Sequence, residues 1–292
     1  MDAVEQAETA GPAALDGPRE RGTGRALALL RACHPVPTAA VTLLVTGLAV
    51  AAGQDACGCA LAAAAVLAGQ LSVGWSNDAA DAARDSAAGR RDKPVAGGAV
   101  DARTVRTAAL LALALCVPLS LLYGPLAGAA HLVGVAVAWV YNAGLKSTPL
   151  SWLPYAIGFA SLPAFVTLGL PGEPLPAWWV VCAAALVGVG AHLANVLPDI
   201  EADLAAGVRG WPQRLGPAAV RLLLPAPLVA ATLLLAAARP GVVGAVAVGV
   251  ALLAAVGGAL LGRRRPKLPF LVAILVAGLD VALLLWPGSA LF

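Results

Sequence analysis

The chain has 292 residues, 60% hydrophobic and only 12% charged, with a mean hydropathy of +0.84 and a formal net charge of +3. A soluble domain carries about 25% charged residues, so a water-covered globular surface of this size is excluded. The apolar residues come in blocks near the ~20 residues a helix needs to cross hydrocarbon, not in short alternating segments, which points to a helical membrane protein and away from a barrel.

In chain order, residues 1–24 are rich in Ala, Glu, Gly and Pro and are expected to form a disordered cytoplasmic tail. Residues 25–292 read as one all-α transmembrane domain. Its spans are predicted at 34–53, 57–76, 104–122, 126–143, 150–170, 177–197, 217–238, 241–261 and 268–286, about nine helices in one bundle. Most connections are short and carry Gly or Pro. Two are long and polar, from Asn77 to Arg103 and from Asp199 to Gly216. With the N-terminus inside, every Lys and Arg except Arg239 falls on the cytoplasmic side. That asymmetry supports both the span count and the orientation, in a cell (plasma) membrane. The basic residues lie between spans and not on one polar face, so no nucleic-acid partner is expected. The five cysteines complete no zinc set.

The two long loops begin alike. Asn77, Asp81 and Asp85 repeat as N-x3-D-x3-D, followed by Ala87-Ala88-Gly89-Arg90. Asn195, Asp199 and Asp203 repeat the pattern, followed by Ala205-Ala206-Gly207 and Arg209. Spacing of four puts each set on one helix face. Asp78 widens the first stripe, His192 lies on the second a turn earlier, Glu201 points away, and Pro198 should kink its helix. A single stripe fits a solvated helix end equally well; two copies on the same side of the membrane do not.

Acids at the edge of hydrocarbon are expensive, and like charges one turn apart repel. A divalent cation removes both objections, and Mg²⁺ binds through a few carboxylates plus substrate phosphates. The stripes therefore suggest a Mg²⁺–diphosphate cradle. Arg84, Arg90, Arg91, Lys93 and Arg209 follow directly and can hold diphosphate oxygens. Lys146 sits in a third cytoplasmic loop after Tyr141-Asn142. Arg31 and His34 open the first span near the same mouth, where they serve either as anchors or as contacts for a carboxylate or phenol of an acceptor. Asp280, a lone acid inside the last span, is expected to face the bundle with a polar partner.

At these residues the chain resembles the UbiA superfamily of intramembrane prenyltransferases. Asn77-Asp78-x2-Asp81-x3-Asp85 is similar to the family's first motif and Asp199-x3-Asp203 to its second. Lys93-Pro94-Val95-Ala96-Gly97-Gly98 is similar to the family's basic-Pro-x-x-x-Gly stretch, while Gly210-Trp211 stands where a Thr is usual. The likeness runs from about residue 25 to the C-terminus. It implies a nine-helix bundle with a central cavity open to the cytoplasmic side. It also implies Mg²⁺-dependent transfer from a prenyl diphosphate to an aromatic or lipid-like acceptor in contact with membrane lipid. On this reading Asp78, Asp81, Asp85, Asp199 and Asp203 hold metal. Asp81, Asp199 and Lys146 are central to catalysis, and Asn77, Arg84, Lys93, Tyr141, Asn195 and Arg209 contact substrate. A terpene cyclase on the same scaffold, or a cation- or proton-coupled transporter, remains as an alternative.

Overall fold

The computed structural model describes residues 18–238, 240–261, 264–265 and 268–286, the first six of them by backbone alone. Arg239, Arg263 and Lys267, used above to assign sides, lie outside the described residues, as does the expected tail up to residue 17. Among the described residues every regular element is helical.

Helix α1 (Pro18–Ala32) begins inside the stretch expected to be tail, and it meets α2 (Pro35–Ala51) at a bend of 60°. Then come α3 (Ala56–Ala87), α4 (Ala102–Tyr123), α5 (Pro125–Ala143), a 3₁₀ turn (Leu145–Ser147) and α6 (Leu153–Leu168). The second half holds α7 (Trp178–Val196), a 3₁₀ turn (Leu197–Asp199), α8 (Ile200–Ala205), α9 (Trp211–Leu223), α10 (Pro225–Ala237), α11 (Val242–Leu261) and α12 (Leu268–Leu285). Several starts follow simple rules. Asp55 accepts from Gly58 N at 2.7 Å and Asp101 from Thr104 N at 2.8 Å, each capping orphan amides. Pro35, Pro125 and Pro225 open helices where no amide hydrogen is needed.

Each expected span except 217–238 overlaps one helix, and 217–238 is divided between α9 and α10. By length and composition six are able to cross a membrane, or up to eight if each bent pair (α1 with α2, α9 with α10 at 48°) is one span. The remaining apolar helix, α6, has 16 residues, short of the ~20 that span hydrocarbon upright. The chain is an integral membrane protein. Large apolar side chains such as Leu43, Leu122, Leu253 and Leu260 are 71–76% exposed, as suits a surface that meets lipid.

Helices adjacent in sequence pack side by side, and α12 returns to touch α2, so the bundle closes on itself. Its main core joins Val45, Val66, Phe165, Leu193, Leu228 and Val276, drawn from α2, α3, α6, α7, α10 and α12. Small residues let these helices approach closely. Asp280 is fully buried between α12 and α10, with Oδ1 at 2.5 Å from Thr232 Oγ1, so the polar partner expected for it is present. Thr232→Val removes that partner and should lower stability by about 1–3 kcal/mol. Thermal unfolding in detergent measures the loss, and an unchanged midpoint would show that the pair does not tie α10 to α12.

Candidate active site

The first acidic stripe lies on the last turns of α3. The segment from Trp75 to Ala88 contains neither Gly nor Pro and is rich in Ala, so the helix runs unbroken through the motif. Asp78 is buried at 2% exposure. Its Oδ1 lies 3.5 Å from Lys93 Nζ and 3.6 Å from His34 Nε2, while its Oδ2 has no hydrogen-bond partner. Asp81 is bonded by both Arg84 and Lys146. Asp85 Oδ2 lies 3.6 Å from Lys93 Nζ. Asn77 donates to Asn142 Oδ1 at 2.9 Å, and Asn142 in turn donates to Ser76 Oγ and to the carbonyl of Val73. These bonds fix the end of α5 on the face of α3.

The second stripe is built differently. Pro198 interrupts the helix as its chemistry requires: α7 stops at Val196, a 3₁₀ turn covers Leu197–Asp199, and α8 resumes at Ile200. Asp199 is half-exposed and pairs with Arg90 at 3.3 Å. Asp203 accepts from Gln213 Nε2 at 2.8 Å, and Glu201 is exposed.

The two stripes face one another. Arg90, which follows the first, reaches the acid of the second, and Lys146, bonded to Asp81, lies within electrostatic range of Asp203. Burial pushes the Lys146 ammonium below the usual lysine range, against the opposing pull of Asp81. The turn that carries Lys146 is held from the far side. Gly210 packs so tightly on the Lys146 carbonyl that any Cβ there would collide with it. Ser151 Oγ accepts from Trp211 N at 3.0 Å and lies 3.1 Å from His192 Nε2. The Gly210-Trp211 departure from the family pattern is thus met by Ser151, which anchors the loop after the second motif.

Beneath the acids lies an aromatic cluster. Tyr141 meets Tyr155 edge-on at 5.4 Å and His192 at 5.8 Å, and Tyr155 lies 4.9 Å from His192. Asn195 donates to Tyr155 OH at 3.1 Å. Asp78, Asp81, Asp85, Asp199, Asp203, Asn77, Arg84, Lys93 and Lys146 therefore gather at one end of the bundle, with Tyr141 and Asn195 one layer below. Arg209 does not join them: its side chain is exposed and makes no ion pair among the described residues. His192 Nε2 is bonded to Ser151 Oγ. Asn142, Tyr155, Ser151 and Gln213 also belong to the site, and sequence spacing did not single them out. Only Asn142, adjacent to Tyr141, stood beside a residue that did draw notice.

Among the described residues no group of three or more His, Cys, Asp or Glu side chains lies close enough to hold a metal ion unaided. The donors nonetheless suit a hard divalent cation. All are carboxylates, and Asp78 Oδ2 is buried with no hydrogen-bond partner among the described residues.

The sequence model of the UbiA prenyltransferase family matches residues 37–286. A digeranylgeranylglyceryl phosphate synthase of Methanopyrus kandleri is 29% identical over 192 residues, covering 63% of this chain and 68% of that protein. Among solved structures, an apo UbiA homologue of Aeropyrum pernix K1 superposes with a TM-score of 0.66 at 22% identity, covering 83% of this chain and 96% of its own. A UbiA homologue of Archaeoglobus fulgidus bound to GPP and Mg²⁺ also gives 0.66, at 17% identity, covering 88% and 98%. At these identities the structures speak for a shared fold.

Ser151→Ala takes away the acceptor for the Trp211 amide and leaves buried His192 without its Nε2 partner. The expected cost is about 1–3 kcal/mol, concentrated in the loop between α8 and α9. Limited trypsin digestion should then cut faster after Arg209 and Arg214; unchanged cleavage would show that Ser151 does not hold that loop.

Proposed function

The chain belongs to the UbiA prenyltransferase family, whose members are membrane transferases of prenyl groups, and on that premise we propose that it takes a prenyl diphosphate with Mg²⁺ between its two aspartate motifs. The prenyl group then passes to an aromatic or lipid-like acceptor within the bilayer. One observation carries this reading: Arg90, which follows the first motif, pairs with Asp199 of the second at 3.3 Å. Structures of an A. fulgidus UbiA homologue bound to GPP or to DMAPP with Mg²⁺ support the same donor class.

Asp78, Asp81 and Asp85 on α3 and Asp199 and Asp203 around α8 would hold the metal, with the diphosphate oxygens completing its coordination. Mg²⁺ there supplies neutralisation of the leaving group's charge. The chain's own cations take the rest of that charge. Lys146 and Arg84 lie beside Asp81, Lys93 lies between Asp78 and Asp85, and Arg90 lies at Asp199, so diphosphate oxygens entering this space meet donors from two loops. As the bond from prenyl carbon to diphosphate oxygen breaks, these groups stabilise the departing diphosphate. The apolar bundle below excludes water from the carbon that becomes electron-poor. The acceptor's nucleophile closes the new bond and gives up one proton.

We further infer nine crossings around a central cavity. The motif end and the N-terminus face the cytoplasm, in the plasma membrane. The near-exclusive placement of Lys and Arg on that side supports the orientation.

Asp81→Ala and Asp199→Ala should each lower turnover by at least about 10²-fold, the scale of losing an electrostatic stabiliser, with unfolding temperature little changed. EDTA should stop the reaction and Mg²⁺ restore it. Labelled donor fed to purified protein in lipid, followed by mass spectrometry of the product, reads all three. Full turnover in either variant or in EDTA would sink the metal cradle, and a terpene released without acceptor would replace transfer by cyclisation.

A further inference from the structure

Helix α9 buries Pro212, Gln213 and Val220, and Gln213 is the polar one among them. It lies on the first turn of the helix and is 5% exposed. Its Nε2 donates to Asp203 Oδ2 at 2.8 Å, while its Oε1 is buried with no hydrogen-bond partner. Chemistry fixes which end is which. An ionised carboxylate only accepts, so the amide presents its nitrogen to Asp203 and leaves its oxygen on the other side. A buried polar atom without a partner is unfavourable for folding, and a methionine or leucine would fill the same space without one. The advantage of an amide at position 213 therefore lies at its nitrogen, on Asp203.

The seat of this amide is shaped by Gly210. A Cβ on Gly210 would stand 2.6 Å from Gln213 Oε1 and would also strike the Lys146 carbonyl oxygen. Trp211, between the two, donates its N–H to Ser151 Oγ at 3.0 Å. Residues 210–213 are thus packed between the turn of Lys146, which is bonded to Asp81, and Asp203 of the second motif. The effect falls on Asp203. Its Oδ2 is held by Gln213, while its Oδ1 makes no hydrogen bond among the described residues and is not buried. The carboxylate lies within electrostatic range of Asp199, Arg84 and Lys146. One oxygen is tethered and the other is open, which is how outer donors orient carboxylates that ligate metals.

We propose that Gln213 is a positioning residue for the divalent cation: its amide locks Oδ2 of Asp203, so that Oδ1 is the oxygen that takes the metal. This rests on the donor site proposed above and adds to it a residue that lies outside both aspartate motifs. The second motif needs such help because Pro198 splits its backbone into a turn and a six-residue helix. The first motif rides one continuous helix. Gln213 replaces, from a neighbouring helix, the rigidity that the broken segment lacks.

The test reads metal binding and not turnover. The full chain in lipid nanodiscs is titrated with Mn²⁺ in place of Mg²⁺, and bound Mn²⁺ is counted by electron paramagnetic resonance. Geranyl thiolodiphosphate, an unreactive donor analogue, is present throughout. Gln213→Met keeps the length and apolar stem of the side chain and removes both polar ends. It should weaken Mn²⁺ binding by about tenfold or more, the scale of losing a donor to a metal ligand. Its unfolding temperature should stay the same or rise, because an orphaned buried oxygen goes with it. Gln213→Leu is read in the same way if the methionine variant folds poorly. Asp203→Asn should weaken Mn²⁺ binding by itself, and adding Gln213→Met to it should cost nothing further, because Gln213 acts through that carboxylate. Unchanged Mn²⁺ affinity in the Gln213 variants, or an equal loss with and without the Asp203 carboxylate, overturns the inference and leaves the donor site standing. A wild-type chain that binds no Mn²⁺ with the analogue takes down the donor site and this inference together.

Discussion

A carboxylate at the edge of an apolar bundle is tolerable only when an opposite charge or a strong donor meets it, and in this chain those partners arrive from distant segments. Asp81 receives Lys146 from the turn after α5. Asp199 receives Arg90 from the loop after α3, and Asp203 receives Gln213 from α9. Arg90 crosses from the loop after the first motif to an acid of the second, so a contact that stabilises one acid also draws the two motifs to a common mouth. The remaining polar contacts, Asn77 with Asn142 and Ser151 with Trp211, hold the segments that carry those partners.

The parts of this arrangement that sequence revealed are local ones. The stripes on α3 and α8, the break at Pro198, the outward face of Glu201 and the inward face of Asp280 all follow from helical periodicity and proline chemistry. The parts it hid are long-range. Asn142 meets Ser76 across 66 residues, Asn195 meets Tyr155 across 40, and Ser151 meets Trp211 across 60. No periodicity encodes such contacts, because they depend on how helices pack. Arg209, whose place behind the second motif copies that of Arg90 behind the first, is exposed and makes no ion pair among the described residues. The apolar stretches were legible in position but not in length, since α6 is shorter than its stretch and two others are bent.

The two motifs share a sequence pattern but not a backbone. The first rides a continuous helix of 32 residues, whose register fixes all four of its polar residues at once. The second is split by Pro198 into a turn and a six-residue helix, steadied from outside by Gln213 and by the loop that Ser151 anchors. One half of the site is positioned by its own helix and the other by its neighbours. Substitutions remote from the acids will therefore disturb the second more readily than the first.

The closure of α12 onto α2 has a consequence for biosynthesis. Helix α2 meets α12, one of its lateral neighbours, only after the helices between them have been made. Until then the seam between them stays open, with Gly47 awaiting Leu285. A chain cut before α12 would carry every acid of the site and still leave that face of α2 uncovered.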